Sequence, residues 1–447
     1  MKRVHLKTYG CQMNERDSEL VAHDLIQNGY DLVHNETDAD IVLLNTCSVR
    51  EQAERKAIGK ANNLLSQRKK NKQVTLGILG CMAQNRGTDL LHEVKGVNLI
   101  VGTQKLHRIS QYLEKISAGR QTDYQSSLIE LEEEEGSQHR INQHLNSSLN
   151  QVSAFVSIMQ GCNMNCSFCI VPKTRGSERY RSMEEIYDEI KILRDRGVKE
   201  VILLGQIVNA YGRGVLPRVG GKSPFVQLLN KIHDIKGIER IRFTSPHPTS
   251  FGHDLIDAFA TLPKLGDYTH LPMQSGSNKV LKSMNRPYNK KKFLQLVSTL
   301  RSVNQNMRIS TDIIVGYPGE TKADFEETIS AFKEASFEMA FIFKYSERSG
   351  TPATQFPDKI SQEIKEERNQ SLLKILERQS EVSNLKKVDK TMEVLVESKA
   401  RKGRGDLMGK TRCYRKVIFE ARRDLIGQIV PVRINEASST LLKGSLI

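Results

Sequence analysis

Apolar residues in the first hundred positions recur as short runs, each followed by a cysteine and then by a helix-length stretch of mixed polarity. Residues 3–9 lead to Cys11, residues 41–45 to Cys47 and residues 74–79 to Cys81, with helix-like stretches over 17–28 and 50–69 between them. Alternating strands and helices predict a parallel sheet, whose crossovers bring every strand's C-terminal end to one edge. That is the edge where open α/β sheets place ligands. Three cysteines spaced 36 and 34 residues apart are therefore expected to meet in space.

A second α/β stretch offers strands at 154–159, 200–204, 240–244, 267–271, 308–315 and 340–345. Its helices carry clear boundary signals. Ser182 and Glu185 form a capping-box pattern before Ile186, Ile190 and Leu193, and Gly197 follows. Ser223-Pro224 opens another helix that closes near Gly237. Six βα units fall short of the eight of a closed barrel, so an open, partial barrel is expected. Residues 360–386 read as a long charged helix leading out of it. Alternation at 392–398 and at Val430, Val432 and Ile434, with a Gly-rich turn at 401–405, predicts a small C-terminal β-barrel. Between 118 and 150 the pattern lapses into an acidic run and a Ser/Asn/Gln-rich stretch. The expected division is 1–118, a linker over 119–150, then 151–382 and 383–447.

Composition narrows the class. The 447 residues are 38% hydrophobic and 27% charged, which excludes wholesale disorder. No run approaches the ~20 apolar residues of a membrane span. The basic start runs into polar residues where a signal peptide needs its apolar segment. Seven cysteines, unevenly placed, do not make a disulfide scaffold. A soluble, cytoplasmic chain with reduced thiols and no membrane partner is expected. The net charge is +15, and residues 383–447 hold fifteen Lys/Arg against seven Asp/Glu. Such a patch points to a polyanion, nucleic acid first, with a merely soluble basic surface as the alternative.

The sharpest chemical signal is Cys162-Asn163-Met164-Asn165-Cys166-Ser167-Phe168-Cys169, just past the first barrel strand. Three thiolates at this spacing can hold three irons of a 4Fe-4S cluster, leaving the fourth iron open. Zinc sites prefer paired C-x2-C elements and four closed ligands, and no second pair lies nearby.

This spacing at the head of a βα barrel resembles the radical S-adenosylmethionine (SAM) superfamily. Further motifs narrow the resemblance to the radical SAM methylthiotransferases: Thr8–Asn14, Leu44–Arg50 and Gly80–Gln84 in the first part, then Thr174-Arg175-Gly176, Gly205-Gln206, His270–Ser277 and Asp312–Thr321. Tyr9-Gly10-Cys11-Gln12-Met13-Asn14 is similar to the MiaB-type enzymes of that family, which act on isopentenyladenosine next to the tRNA anticodon. The resemblance covers essentially the whole chain.

The resemblance implies that Cys162, Cys166 and Cys169 hold a 4Fe-4S cluster that binds SAM, and that Cys11, Cys47 and Cys81 hold an auxiliary 4Fe-4S cluster. It implies reductive cleavage of SAM, hydrogen abstraction from C2 of the modified adenine, and transfer of sulfur, with a methyl group from a second SAM. Gln206, Asn209 and Asp312 stand where SAM contacts are expected, with Glu320 a weaker candidate. Ile207 replaces the family's usual Asn. The tail resembles a TRAM domain, an RNA-gripping β-barrel, with Arg401, Lys402, Arg404, Lys410, Arg412, Arg415 and Lys416 as phosphate-facing candidates. Because the tail holds no cluster ligand, its removal is expected to weaken tRNA binding and spare SAM cleavage. The expected partners are tRNA, through an anticodon stem-loop carrying isopentenyladenosine, and an electron donor such as flavodoxin or ferredoxin. Three alternatives stand beside this reading: the sister enzyme for threonylcarbamoyladenosine, a ribosomal-protein methylthiotransferase, and a non-catalytic metal-bearing RNA-binding protein.

Overall fold

The computed structural model describes residues 1–49, 51–68, 74–119, 127–141, 151–400 and 405–447. The chain opens with a six-stranded parallel sheet of β1 (Arg3–Tyr9), β2 (Asp31–Leu32), β3 (Ile41–Thr46), β4 (Thr75–Leu79), β5 (Leu99–Val101) and β6 (Leu128–Glu130), in the order β2-β1-β3-β4-β5-β6. The central strands read as unbroken apolar runs because both faces are covered. Leu20, Val21 and Leu25 of the helix Gln12–Gln27 pack on one face. Ala57 and Ala61 of the helix Glu51–Arg68 pack on the other.

The stretch 119–150 is more than the expected linker. Its residues 128–130 form β6, which pairs in parallel with β5 and completes the sheet. Three residues are too short a strand to register as a periodic pattern. Glu134, from the acidic run, accepts from Arg108 at 2.7 Å and pairs with Lys105 at 3.2 Å.

The second unit contains β7 (Ser153–Ser157), β8 (Met159–Gln160), β9 (Arg179–Tyr180), β10 (Glu200–Leu204), β11 (Arg240–Phe243), β12 (Tyr268–His270), β13 (Arg308–Val315) and β14 (Met339–Lys344). Two parallel sheets, β7-β10-β11 and β12-β13-β14, join through a parallel bridge between Ile241 and Leu265. Among the described residues β7 and β14 do not pair, so the six-unit barrel is open on one side. Alternate residues Val201, Leu203, Ile309 and Ile313 lie in the large core with the helices. The expected caps are present: Ser182 accepts from the Glu185 backbone, and Ser223 does the same for Val226.

The last unit is a closed barrel of β15 (Thr391–Lys399), β16 (Asp406–Thr411), β17 (Lys416–Glu420), β18 (Ile429–Ala437) and β19 (Leu442–Leu446), filled by Val394, Val396, Phe419, Val432 and Ile434. It follows the helix Gln362–Leu385. Its β16–β17 turn plugs the floor of the open barrel, where the strands begin. Arg242 donates to the Thr411 and Arg412 carbonyls at 2.9 and 3.0 Å, Arg308 to Tyr414 O at 2.9 Å, and Tyr268 stacks on Tyr414 at 4.8 Å.

Candidate functional site

The compact cysteine run lies in a loop closed at its base by the antiparallel pair β8–β9. Gly161 has φ +80, and a Cβ there would stand 1.9 Å from Ser177 O, so only glycine brings the loop back onto itself. The Cys162 backbone then donates to Gly176 O at 3.1 Å. Cys162 and Cys166 are buried. Met164 N donates to Cys162 Sγ at 3.4 Å, and Arg286 Nη1 to Cys166 Sγ at 3.3 Å. Ile207 packs with Ala210 and Met164 around Cys162, an apolar wall where the family usually has an amide. Burial pushes the Cys162 thiol up to about 11 and the Cys169 thiol up to about 12. Three thiols that share one loop, two of them buried and the third half-buried, with N–H groups aimed at their sulfurs, are a donor set suited to a cluster.

The spread triplet also meets at one edge. Cys11 caps the helix Gln12–Gln27, Cys47 follows β3, and Cys81 opens the helix Cys81–Arg86 after β4. Gly10 allows the approach: a Cβ there would lie 2.7 Å from Cys47 Cβ. The Cys47 thiol donates toward Cys11, which lowers the Cys11 pKa to about 6 and raises that of Cys47. Burial raises the Cys81 pKa, against the pull of Arg175 beside it. Among the described residues no His, Cys, Asp or Glu group is drawn together to share a single metal ion.

Two buried ion pairs lock this edge to the barrel. Asp17 pairs with Arg175 at 2.5 Å and Arg16 with Glu189 at 3.5 Å, with Asp17 and Arg16 both on the helix that Cys11 caps. Met13 packs on Ile202 and Leu204, with Cys11 and Phe155 alongside. The second triplet is thereby held over the barrel wall formed by β7 and β10.

Three family descriptions match the chain: Uncharacterized protein family UPF0004 at residues 3–102, the Radical SAM superfamily at 156–332 and the TRAM domain at 385–447. The tRNA-2-methylthio-N(6)-dimethylallyladenosine synthase of Opitutus terrae is 51% identical, over 100% of this chain and 98% of its own. Its namesake in Methylacidiphilum infernorum is 48% identical, over 100% and 95%. The chain belongs to this synthase family. Among solved structures, the radical S-adenosylmethionine methyltransferase TsrM from Kitasatospora setae shares the fold, with TM-score 0.59 at 13% identity over 79% of this chain and 77% of that one. SAM and 4Fe-4S clusters are the cofactors of this family.

The other candidates divide by what they already touch. Gln206, just past β10, keeps a buried Oε1 with no partner among the described residues. Asn209 instead spends its amide on the backbone of His247, donating to O at 3.0 Å and accepting from N at 2.8 Å. Asp312 pairs with His270 Nε2 at 3.1 Å. Glu320 accepts from Gly316 N at 2.6 Å and pairs with Arg368 at 2.5 Å, so it braces a turn.

In the tail, three expected phosphate contacts face inward instead. Arg412 pairs with Asp267 and donates to Leu265 O. Arg415 is buried and pairs with Glu338, and Lys410 pairs with Glu397 at 2.9 Å. A basic residue in a turn that plugs a barrel finds carboxylates there, which charge counting does not foresee. Lys416 is exposed, and Arg401, Lys402 and Arg404 lie outside the described residues. Sequence reasoning assigned no role to Asp17, Arg175, His247 or Arg286. Arg175 did stand in a quoted motif, which was the one available signal.

Proposed function

We infer that this protein methylthiolates C2 of N6-isopentenyladenosine at position 37 of tRNA, next to the anticodon, with SAM as radical source and methyl donor. The observation that carries the reading is the second cysteine triplet, locked by Arg175 and Glu189 against the wall of the barrel whose mouth holds the first. Whole-length relatives named as tRNA-2-methylthio-N(6)-dimethylallyladenosine synthases support the substrate.

Cys162, Cys166 and Cys169 would hold the SAM-binding 4Fe-4S cluster, and Cys11, Cys47 and Cys81 the auxiliary one. Together, when bound, these groups supply one-electron cleavage of SAM and a sulfur to be inserted. The chain's own part is to bind, orient and exclude water. Arg286 steadies Cys166, Ile207 and Met164 keep solvent from Cys162, and Arg175 balances the charge of the thiolates beside it. The apolar surface for the prenyl group is offered by β14. Phe341 is 40% exposed and lies nearly parallel to Phe343, and His270 meets its edge at 6.0 Å. Stacked rings of this kind suit an unstacked loop base.

For the RNA backbone, the exposed Lys399, Lys416, Arg422 and Arg423 are the described candidates. A small flavin or iron–sulfur protein such as flavodoxin or ferredoxin would supply the electron. No helix among the described residues is long and apolar enough to cross a membrane, and a tRNA substrate favours the cytoplasm.

Nucleoside analysis of tRNA from cells lacking the protein tests the reading. Loss of 2-methylthio-isopentenyladenosine with accumulation of isopentenyladenosine is expected. An unchanged nucleoside profile would contradict it.

A further inference from the structure

Just past the end of β11 stands an imidazole whose hydrogen bonding is half complete. His247 is only 5% exposed. Thr249 donates its backbone N–H to Nδ1 at 3.3 Å, and its hydroxyl lies 2.7 Å from the same atom. A ring nitrogen that accepts a backbone N–H carries no proton, so the neutral ring holds its proton on Nε2. That Nε2 is buried and has no partner among the described residues. Burial, with Arg286 and Arg213 nearby, pushes the ring's pKa down to about 3, so the group stays a neutral donor.

The ring is held there at a cost. Asn209 clamps the His247 backbone from both sides. Ser245, two residues earlier, sits in the left-handed region with φ 54, and its carbonyl accepts from Val208 N at 3.4 Å. Strained backbone that fixes an unpaired buried donor marks a binding site better than it serves packing. The location fits one ligand. His247 meets the Tyr288 ring at 5.8 Å, Arg286 Nε donates to the Tyr288 hydroxyl at 2.9 Å, and Arg286 reaches Cys166. Gln206 Oε1, on the loop that Val208 ties to Ser245, is a buried acceptor with no partner among the described residues.

We propose that the His247 Nε2–H donates a hydrogen bond to a lone pair of SAM and so positions it at the Cys162/Cys166/Cys169 centre. The proposal rests on the reading of that centre as the SAM site.

The test is equilibrium dialysis of SAM against anaerobically reconstituted full-length protein, without reductant. His247→Leu removes the donor, whereas the amide nitrogen of His247→Gln reaches about where Nε2 stands. His247→Leu should weaken SAM binding roughly tenfold, and His247→Gln should stay within about threefold of the parent. Iron content and stem-loop affinity should not change in either. If His247→Leu loses iron, His247→Asn takes its place, because its shorter amide reaches only the Nδ1 position. Unchanged SAM affinity in the variant lacking the donor, or equal loss in His247→Gln, would overturn the proposal. Failure of the parent protein to bind SAM would instead overturn the reading of the centre.

Discussion

Arg175 and Asp17 meet across the boundary between the two α/β units, with N–O distances of 2.5 and 3.2 Å and both side chains 3% exposed. Burial works against the Arg175 charge, but Asp17 and the neighbouring cysteines outweigh it and hold the guanidinium protonated. Arg175→Met leaves the Asp17 carboxylate buried and unpaired, so we expect a loss of about 3–5 kcal/mol in denaturant unfolding. Adding Asp17→Leu should restore most of that stability, since an apolar pair can replace a buried ion pair. It should not restore iron at the auxiliary site, because the cation beside Cys81 is gone. Full auxiliary iron in the double variant would show that Arg175 serves stability alone.

Gly10 separates the two cysteine groups experimentally. A methyl group there would lie 2.7 Å from Cys47 Cβ and 2.5 Å from Asn14 Oδ1, so Gly10→Ala should force Cys11 and Cys47 apart. Iron content should fall by about half, while reductive SAM cleavage persists. Loss of both clusters from a folded variant would contradict two independent sites.

The buried thiols set a pH dependence. With Cys162 near 11 and Cys169 near 12, both are protonated across the ordinary working range and must release protons to take iron. Iron binding by this triplet should therefore strengthen with rising pH, by about tenfold per unit for each proton displaced. Exposed thiols, at about 8.5, would level off near that value. A reconstitution titration that still climbs above about pH 9 is expected. A plateau by about pH 8.5 would show that the thiols are not held protonated.

The tail's removal has a different expected outcome from the one its charge suggested. Taking away residues 383–447 uncovers the Arg240, Arg242 and Arg308 side chains that cap on tail carbonyls at the barrel floor. Losing these hydrogen bonds and opening the barrel floor to water should destabilise the barrel and reduce SAM cleavage even without tRNA. Full SAM cleavage with normal thermal stability in the truncated protein would mean that the floor closes without the tail.

How much was legible follows from the physics of each feature. The six barrel strands, the capped helices and the strand–cysteine units all leave local patterns, so the sequence displayed them. Residues 128–130 were too few to show a period. The ion pairs Asp17–Arg175 and Arg16–Glu189 join positions far apart in sequence, and no local pattern encodes such a partner. Arg412 and Arg415 misled for the same reason. Their charge was visible, but the carboxylates of Asp267 and Glu338 that meet it were not. Asn209 stands at the expected strand end, yet its amide is turned to the backbone of His247.

The central claim is the substrate, and one assay reaches it. Reconstituted enzyme with dithionite and SAM is offered anticodon stem-loops bearing adenosine, isopentenyladenosine or threonylcarbamoyladenosine at position 37. The proposed burial of the five-carbon group beside Phe341 and Phe343 would be worth on the order of 3–4 kcal/mol at ~0.8 per carbon. The 2-methylthio product should therefore form chiefly from the isopentenyl stem-loop, by up to a few hundredfold over adenosine. Preferential turnover of the threonylcarbamoyl stem-loop, or turnover of none of the three, would contradict the account.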